Sequence, residues 1–290
     1  MKLKLNKEDN YQLLSKVFSR PVVLEIAQKN RMHLLTSILS ENFLTRDLED
    51  KPVYFIYDEI YKILSKKYRN EYIYKNEIAK KIIRGTHRYS KVSYINEFKI
   101  NNTIADVAIF NGTSTAYEIK TELDSFERLD SQLSSYQKVF EYVYIVIPPA
   151  KLKLAEYSIP NNIGIAILTE KGNIVFHKKA ESNINRLSKD WMFKCLRQSE
   201  YTCWYEKVRK CPLEGRVAEQ KEECFRLFSS LNIELAQKEM VNILKERSLD
   251  TYEKEVFKTL PQSLLAALLN LRLNKKSLLN LKDNLRESIC

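Results

Sequence analysis

The sequence predicts an α/β protein: an αβββαβ core with a mixed sheet, flanked by N-terminal helices and followed by a C-terminal all-α region. Three observations predict it. Apolar segments rich in β-branched and aromatic residues fall at 92–110, 114–120 and 142–147. The segments 71–83 and 124–140 space their apolar residues as amphipathic helices do. Beyond residue 188 the apolar spacing is helical throughout. The expected division is 1–60 as an N-terminal helical region, 61–180 as the core and 181–290 as a helical domain.

Taken in chain order, residues 10–50 read as helical, with Leu13, Leu14, Val17 and Phe18 on one face. Ile73, Ile78, Ile82 and Ile83 predict the first core helix. Val92–Ile100 alternates as a strand, and Asn101-Asn102 is a two-residue hairpin signal. Ile104 to Phe110 and Thr115 to Lys120 are the next two strands. Asp124, with Glu127 three positions on, predicts a helix start, followed by Phe126, Leu129, Leu133, Tyr136, Val139 and Phe140 on one apolar face. Tyr142 to Ile147 is an unbroken apolar run stopped by Pro148-Pro149, the pattern of a buried central strand.

Two further strands are expected at 163–169 and 173–178, joined through Glu170-Lys171-Gly172. Helices are then expected at Trp191–Tyr205, Val217–Leu231, Glu234–Arg247, Tyr252–Leu260 and, after Pro261, Gln262–Leu273. Leu264, Leu265, Leu268, Leu269, Leu271 and Leu273 are too dense for a surface helix, so they belong in a bundle core or in a partner's groove.

Charge inside the second and third strands is the exception to their apolar character. Glu118 and Lys120 are two apart, so they project from one face of a strand. A three-residue connection, Asn111-Gly112-Thr113, would pair Phe110 with Ser114 and set Asp106 opposite Glu118; an even loop would turn Asp106 away. Two carboxylates that close repel each other, which a divalent cation relieves. If Asn101-Asn102 is the hairpin turn, Glu97 lies opposite Asp106 and adds a third carboxylate.

The Asp106…Glu118-Ile119-Lys120 string, within the αβββαβ order, resembles the active-site signature of the PD-(D/E)XK nuclease superfamily. Gln132-x-x-x-Tyr136 resembles the QxxxY element of its RecB-like members. The run from Tyr117 to Gln132, with Tyr136 after it, is similar to the sce7726 family of bacterial and phage proteins, over roughly residues 92–147. The resemblance implies a restriction-endonuclease-like core and metal-dependent hydrolysis of DNA. Asp106, Glu118 and the carbonyl of Ile119 would hold Mg²⁺ or Mn²⁺, which suit hard oxygen ligands. Lys120 would orient or deprotonate a water, or stabilise the charged transition state. Gln132 and Tyr136 would support those groups or position DNA. Such proteins often add an acidic residue from the first helix or strand, so Glu77 competes with Glu97 for that place.

A formal charge of +11 over 290 residues is unevenly spread. Basic against acidic residues stand at 18 to 11 over 1–90, 5 to 8 over 91–150 and 25 to 18 over 151–290. The catalytic core is thus acidic between basic flanks. Lys62 to Lys91 is the densest basic stretch, interleaved with Tyr68, Tyr72, Tyr74 and Tyr89, a composition suited to a polyanion. Lys80, Lys81, Arg84, Arg88 and Lys91 are the candidate phosphate contacts. His87 reads as a loop histidine.

Five cysteines, none in a CxxC arrangement and none near a histidine, read as structural or surface thiols rather than as a disulfide framework or an iron–sulfur site. No apolar run approaches the roughly 20 residues that span a bilayer, and the start lacks a signal-peptide apolar region. The expectation is a cytoplasmic protein whose partner is DNA, with a protein partner for the C-terminal helices as a further expectation. The competing expectation is a nuclease-like scaffold without catalysis, serving as a nucleic-acid-binding or protein-interaction module such as a phage or defence factor.

Overall fold

Ser93–Ile100 (β1) and Thr103–Phe110 (β2) pair antiparallel with Ile100 opposite Thr103. Asn101-Asn102 is therefore the two-residue turn, and Asn101 takes the positive φ of 48° that such turns demand. β2 pairs antiparallel with Ser114–Ile119 (β3), Phe110 facing Ser114. The three-residue connection has the expected odd length, and Gly112 adopts a φ of 124° that only glycine takes without strain. β3 then runs parallel to Tyr142–Ile147 (β4), which runs parallel to Gly164–Leu168 (β5). Ile174–Lys178 (β6) completes a mixed sheet ordered β1-β2-β3-β4-β5-β6 among the described residues.

The computed structural model describes residues 10–43, 48, 50–81 and 92–289. They divide into two units. One comprises residues 1–89, 168–174 and 249–290; the other comprises 90–167 and 175–248.

The second unit carries β1–β4 and the residues around them. β4 lies between β3 and β5, and Val143, Ile145, Val146 and Ile147 have no exposure, as expected of a central strand. One sheet face is covered by the Leu129–Tyr136 helix, whose Leu129, Leu133 and Tyr136 join Ala108, Phe110, Ala116 and Val143 in one core. On Tyr144 the ring stacks against Tyr117 at 5.5 Å and meets Phe176 at 5.1 Å. A Cβ at Gly164 would overlap that ring, so glycine is required in β5.

The helix after β3 begins later than its sequence suggests. It starts at Leu129, because the Asp124 carboxylate turns back to accept from the backbone N–H and the hydroxyl of Thr121, both at 2.8 Å. Asp124 closes a turn there instead of capping a helix. The predicted helix Trp191–Tyr205 is likewise two, Lys189–Lys194 and Gln198–Arg209. Glu200 reaches back to the backbone N–H of Arg197 at 2.8 Å, which starts a new helix there. Arg247 holds Glu200 through Nε and Nη2, both at 2.6 Å. Val217–Ser230 and Ile233–Lys245 follow as expected, the latter capped by Asn232, whose Oδ1 accepts from Leu235 N–H at 2.8 Å.

The first unit is helical around Val53–Lys67, Glu71–Lys81, Thr251–Thr259, Leu265–Leu271 and Lys275–Asn284. Its leucine-rich segment is core: Leu264, Leu265 and Leu268 are at most 2% exposed. Buried Asn76 fastens it, donating to Gln262 O and accepting from Ala266 N–H, each at 2.9 Å. No helix among the described residues is long and apolar enough to cross a membrane.

Candidate active site

The site is built where β3 ends. Val107 opposite Tyr117 fixes the register that sets Asp106 against Glu118 on one side of the sheet. The Asp106 carboxylate accepts the backbone N–H of Ile119 at 2.7 Å through Oδ2. Beyond β3, the N–H of Lys120 donates to Val146 O at 3.0 Å, so pairing with β4 continues one residue and holds the lysine backbone.

Four side chains converge there. The Lys120 ammonium donates to Glu118 Oε1 at 2.8 Å and to Gln132 Oε1 at 3.0 Å. The Tyr136 hydroxyl lies 2.7 Å from Glu118 Oε2 and 2.6 Å from Ile104 O, so one proton serves two acceptors. Gln132 and Tyr136 are one helical turn apart and face the sheet together. Glu118 is 2% exposed and the Lys120 side chain 12%. Burial, and after it the Glu118 charge, raises the Tyr136 phenol far above its ordinary range, so it stays a neutral donor.

Lys151, which the sequence reading passed over, stands beside this group. Its ammonium caps the carbonyls of Thr121 and Asp124 and lies 5.8 Å over the Phe126 ring. Its pKa is lowered, first by burial and also by the charge of Lys120, while Asp124 and Glu122 oppose the shift. The only sequence signal was its place just after the proline pair that ends β4, at the carboxyl edge of the parallel strands where α/β sheets bind ligands.

Glu97 is exposed and takes a left-handed φ of 54°; the pairs Asn96–Val107 and Phe98–Ala105 on either side keep it opposite Asp106 in register, although the ladder does not pair the two. Glu77 belongs to the helical unit, where its Oε1 accepts from Tyr61 and Lys80, each at 2.7 Å. Lys80 also lies 4.1 Å over the Tyr61 ring, and Lys81 donates to Ile174 O at 2.7 Å. Arg84, His87, Arg88 and Lys91 lie outside the described residues. Cys195, Cys203, Cys211 and Cys224 are free thiols.

The carboxylates of Asp106 and Glu118 could hold a hard divalent cation that keeps most of its water. Their oxygens are of the right kind, and Ile119, between Glu118 and Lys120 in the chain, is held to Asp106 through its N–H. Both Glu118 oxygens are engaged, so an incoming cation would take the place of the Lys120 ammonium at Oε1. Among the described residues no group of three or more His, Cys, Asp or Glu could hold a metal, so a cation here would rely on two carboxylates.

A family model described as Bacteriophage P4 protein cII matches residues 65–282, well over half of the chain. The chain belongs to that family. Protein cII of Enterobacteria phage P4 is 37% identical over 78 residues, 26% of this chain and 30% of that protein. The chain thus matches less than a third of the length of that relative. A solved protein of unknown function from Silicibacter pomeroyi aligns over 47% of this chain and 90% of its own at 15% identity, with a TM-score of 0.31. The cII-family span contains Asp106, Glu118, Lys120, Gln132, Tyr136 and Lys151.

Proposed function

We propose that this cII-family chain is a metal-dependent nuclease that hydrolyses DNA phosphodiester bonds, with a PD-(D/E)XK-type centre at Asp106, Glu118 and Lys120 on a restriction-endonuclease-like core. One observation carries the reading: Lys120 is fixed between Glu118 and Gln132 while Asp106 is locked against the Ile119 backbone, on adjacent strands. A scaffold has little use for two facing carboxylates and a lysine held this closely.

Asp106 and Glu118 would hold Mg²⁺ or Mn²⁺, which when bound supplies an activated water and stabilises charge on the phosphate. The chain's own residues do the rest. Tyr136 orients Glu118, Gln132 aims the Lys120 ammonium, and that ammonium offsets negative charge building on the phosphoryl oxygens. Lys80, Lys81, Arg84, Arg88 and Lys91 are the proposed phosphate contacts, and DNA the proposed partner.

A second reading, a nuclease-like module that binds nucleic acid or protein without cutting, is favoured by the 2% exposure of Glu118 and the engagement of both its oxygens. Incubating the protein with plasmid and linear DNA across Mg²⁺ and Mn²⁺ decides between them. Cleavage that falls by about 10²- to 10⁴-fold in Lys120→Ala, with binding retained, supports the enzyme. A thermal melt of the variant guards against unfolding. Binding without cleavage by either protein establishes the module instead.

A further inference from the structure

Glu118 needs a cation at all times. At 2% exposure its charge has lost most of its water, and Asp106 adds a second carboxylate on the same side of the sheet. Two of the donors that meet these carboxylates are neutral: the Ile119 N–H on Asp106 Oδ2 and the Tyr136 hydroxyl on Glu118 Oε2, each at 2.7 Å. Lys151 directs its ammonium to the carbonyls of Thr121 and Asp124. Balance at Glu118 therefore falls to Lys120, which forms the ion pair with Oε1 at 2.8 Å.

Lys120 is held so that its root stays while its head can move. Its backbone N–H is pinned to Val146 O at 3.0 Å, but a flexible four-carbon stem separates that anchor from the ammonium. Gln132 Oε1 already accepts the ammonium at 3.0 Å, so an acceptor remains when Glu118 Oε1 is given up. The Tyr136 hydroxyl keeps Oε2 in place as a neutral donor. Exchange is thus confined to Oε1.

Such an exchange has to be concerted. Withdrawing the ammonium with nothing in its place would leave a buried, uncompensated carboxylate. A hard divalent cation meets that need, since it binds through one or two carboxylates and keeps several of its waters.

The geometry points to Lys120 as a built-in competitor of the metal: its ammonium holds the Glu118 oxygen that a divalent cation needs, and moves toward Gln132, free to pair with a DNA phosphate, when that cation binds. The inference rests on the nuclease reading for its metal and its phosphate, yet it is tested without catalysis. Displacement makes the lysine available to DNA only in the metal-bound chain.

Mn²⁺ binding is followed by electron paramagnetic resonance of the free ion. Lys120→Met is expected to bind Mn²⁺ about tenfold or more tightly than the wild type, because no attached cation contends for Oε1. Lys151→Met removes a neighbouring charge whose hydrogen bonds go to backbone carbonyls, and shifts the affinity by less than about threefold. Adding Asp106→Asn to Lys120→Met cancels the gain, which assigns the ion to the carboxylate pair. Thermal melts accompany each titration, and Lys120→Gln, uncharged but still a donor, serves if the methionine variant fails to fold. Reductive methylation read by mass spectrometry reports on the ammonium itself: saturating Mg²⁺ raises labelling of Lys120 by about fivefold or more over EDTA, as expected of linked binding events, and leaves Lys151 unchanged.

Equal Mn²⁺ affinity of wild type and Lys120→Met, an equal gain in Lys151→Met, Lys120 labelling indifferent to Mg²⁺, or no Mn²⁺ binding to either protein overturns the competitor. Cleavage assays run in parallel separate the two readings. A protein that cuts DNA and fails these tests discards the competitor alone, and one that passes them without cutting supports the competitor and discards the nuclease.

Discussion

Tyr136 and Glu118, eighteen residues apart in the chain, meet at 2.7 Å between hydroxyl and carboxylate Oε2. A helix residue thus reaches a buried strand carboxylate, and Lys120 takes its other oxygen. Buried charge of this kind persists only where partners satisfy it.

Tyr136→Phe removes the donor and leaves Oε2 and Ile104 O without it. Stability should fall by about 1–3 kcal/mol, the cost of an unpaired buried polar group. Urea denaturation monitored by circular dichroism measures this, and an unchanged midpoint would show that water replaces the phenol.

Gln132→Ala frees one side of the Lys120 ammonium while keeping its Glu118 contact. Cleavage should drop by roughly 10- to 100-fold, as when a group supporting a functional residue is lost. Initial rates on linear DNA give the number. A thermal melt close to that of the wild type is expected, because Gln132 is only half-buried.

Alkali should destabilise the fold. Burial raises the phenols of Tyr57, Tyr61, Tyr117 and Tyr136, with Glu77 and Glu118 adding to the effect at Tyr61 and Tyr136. The unfolded chain ionises these groups near about pH 10 while the folded one does not, so the unfolded state binds fewer protons and stability falls as pH rises past that value. Below it both states hold the protons and the term vanishes. Denaturation midpoints measured from neutral to strongly alkaline pH should be flat and then decline.

Thiol labelling should separate the cysteines. Burial pushes the Cys195 thiol up to about 12, against a smaller opposing pull from Arg247, and the Cys224 thiol up to about 11. Cys203 and Cys211 are exposed. In a Cys290→Ser background, a neutral-pH thiol reagent should modify Cys203 and Cys211 first, half-buried Cys195 more slowly and Cys224 only on unfolding. Prompt modification of Cys224 would contradict its complete burial.

Much of the sheet was legible because strand patterning is local. The Asn101-Asn102 turn, the odd connection before Ser114 and the apolar run of β4 each depend on residues a few places apart, and all three hold. Misreadings came where distant or competing contacts intervene. Asp124 has the sequence of a helix cap but finds Thr121 first. Lys151 acquires its place only because β4 runs parallel to β3 and delivers it to the Thr121 carbonyl.

By itself, then, the chain's order of residues determined the αβββαβ succession, the pairing of β1 through β3 and the common side of Asp106 and Glu118, since period-two geometry and loop parity need no long-range information. Tertiary structure decided which charges are buried, that Lys120 rests between Glu118 and Gln132, that Lys151 caps the Thr121 and Asp124 carbonyls, and that residues 249–290 pack with the N-terminal helices. Those outcomes depend on segments far apart in the chain coming together, where burial and charge compensation are set by whatever side chains arrive.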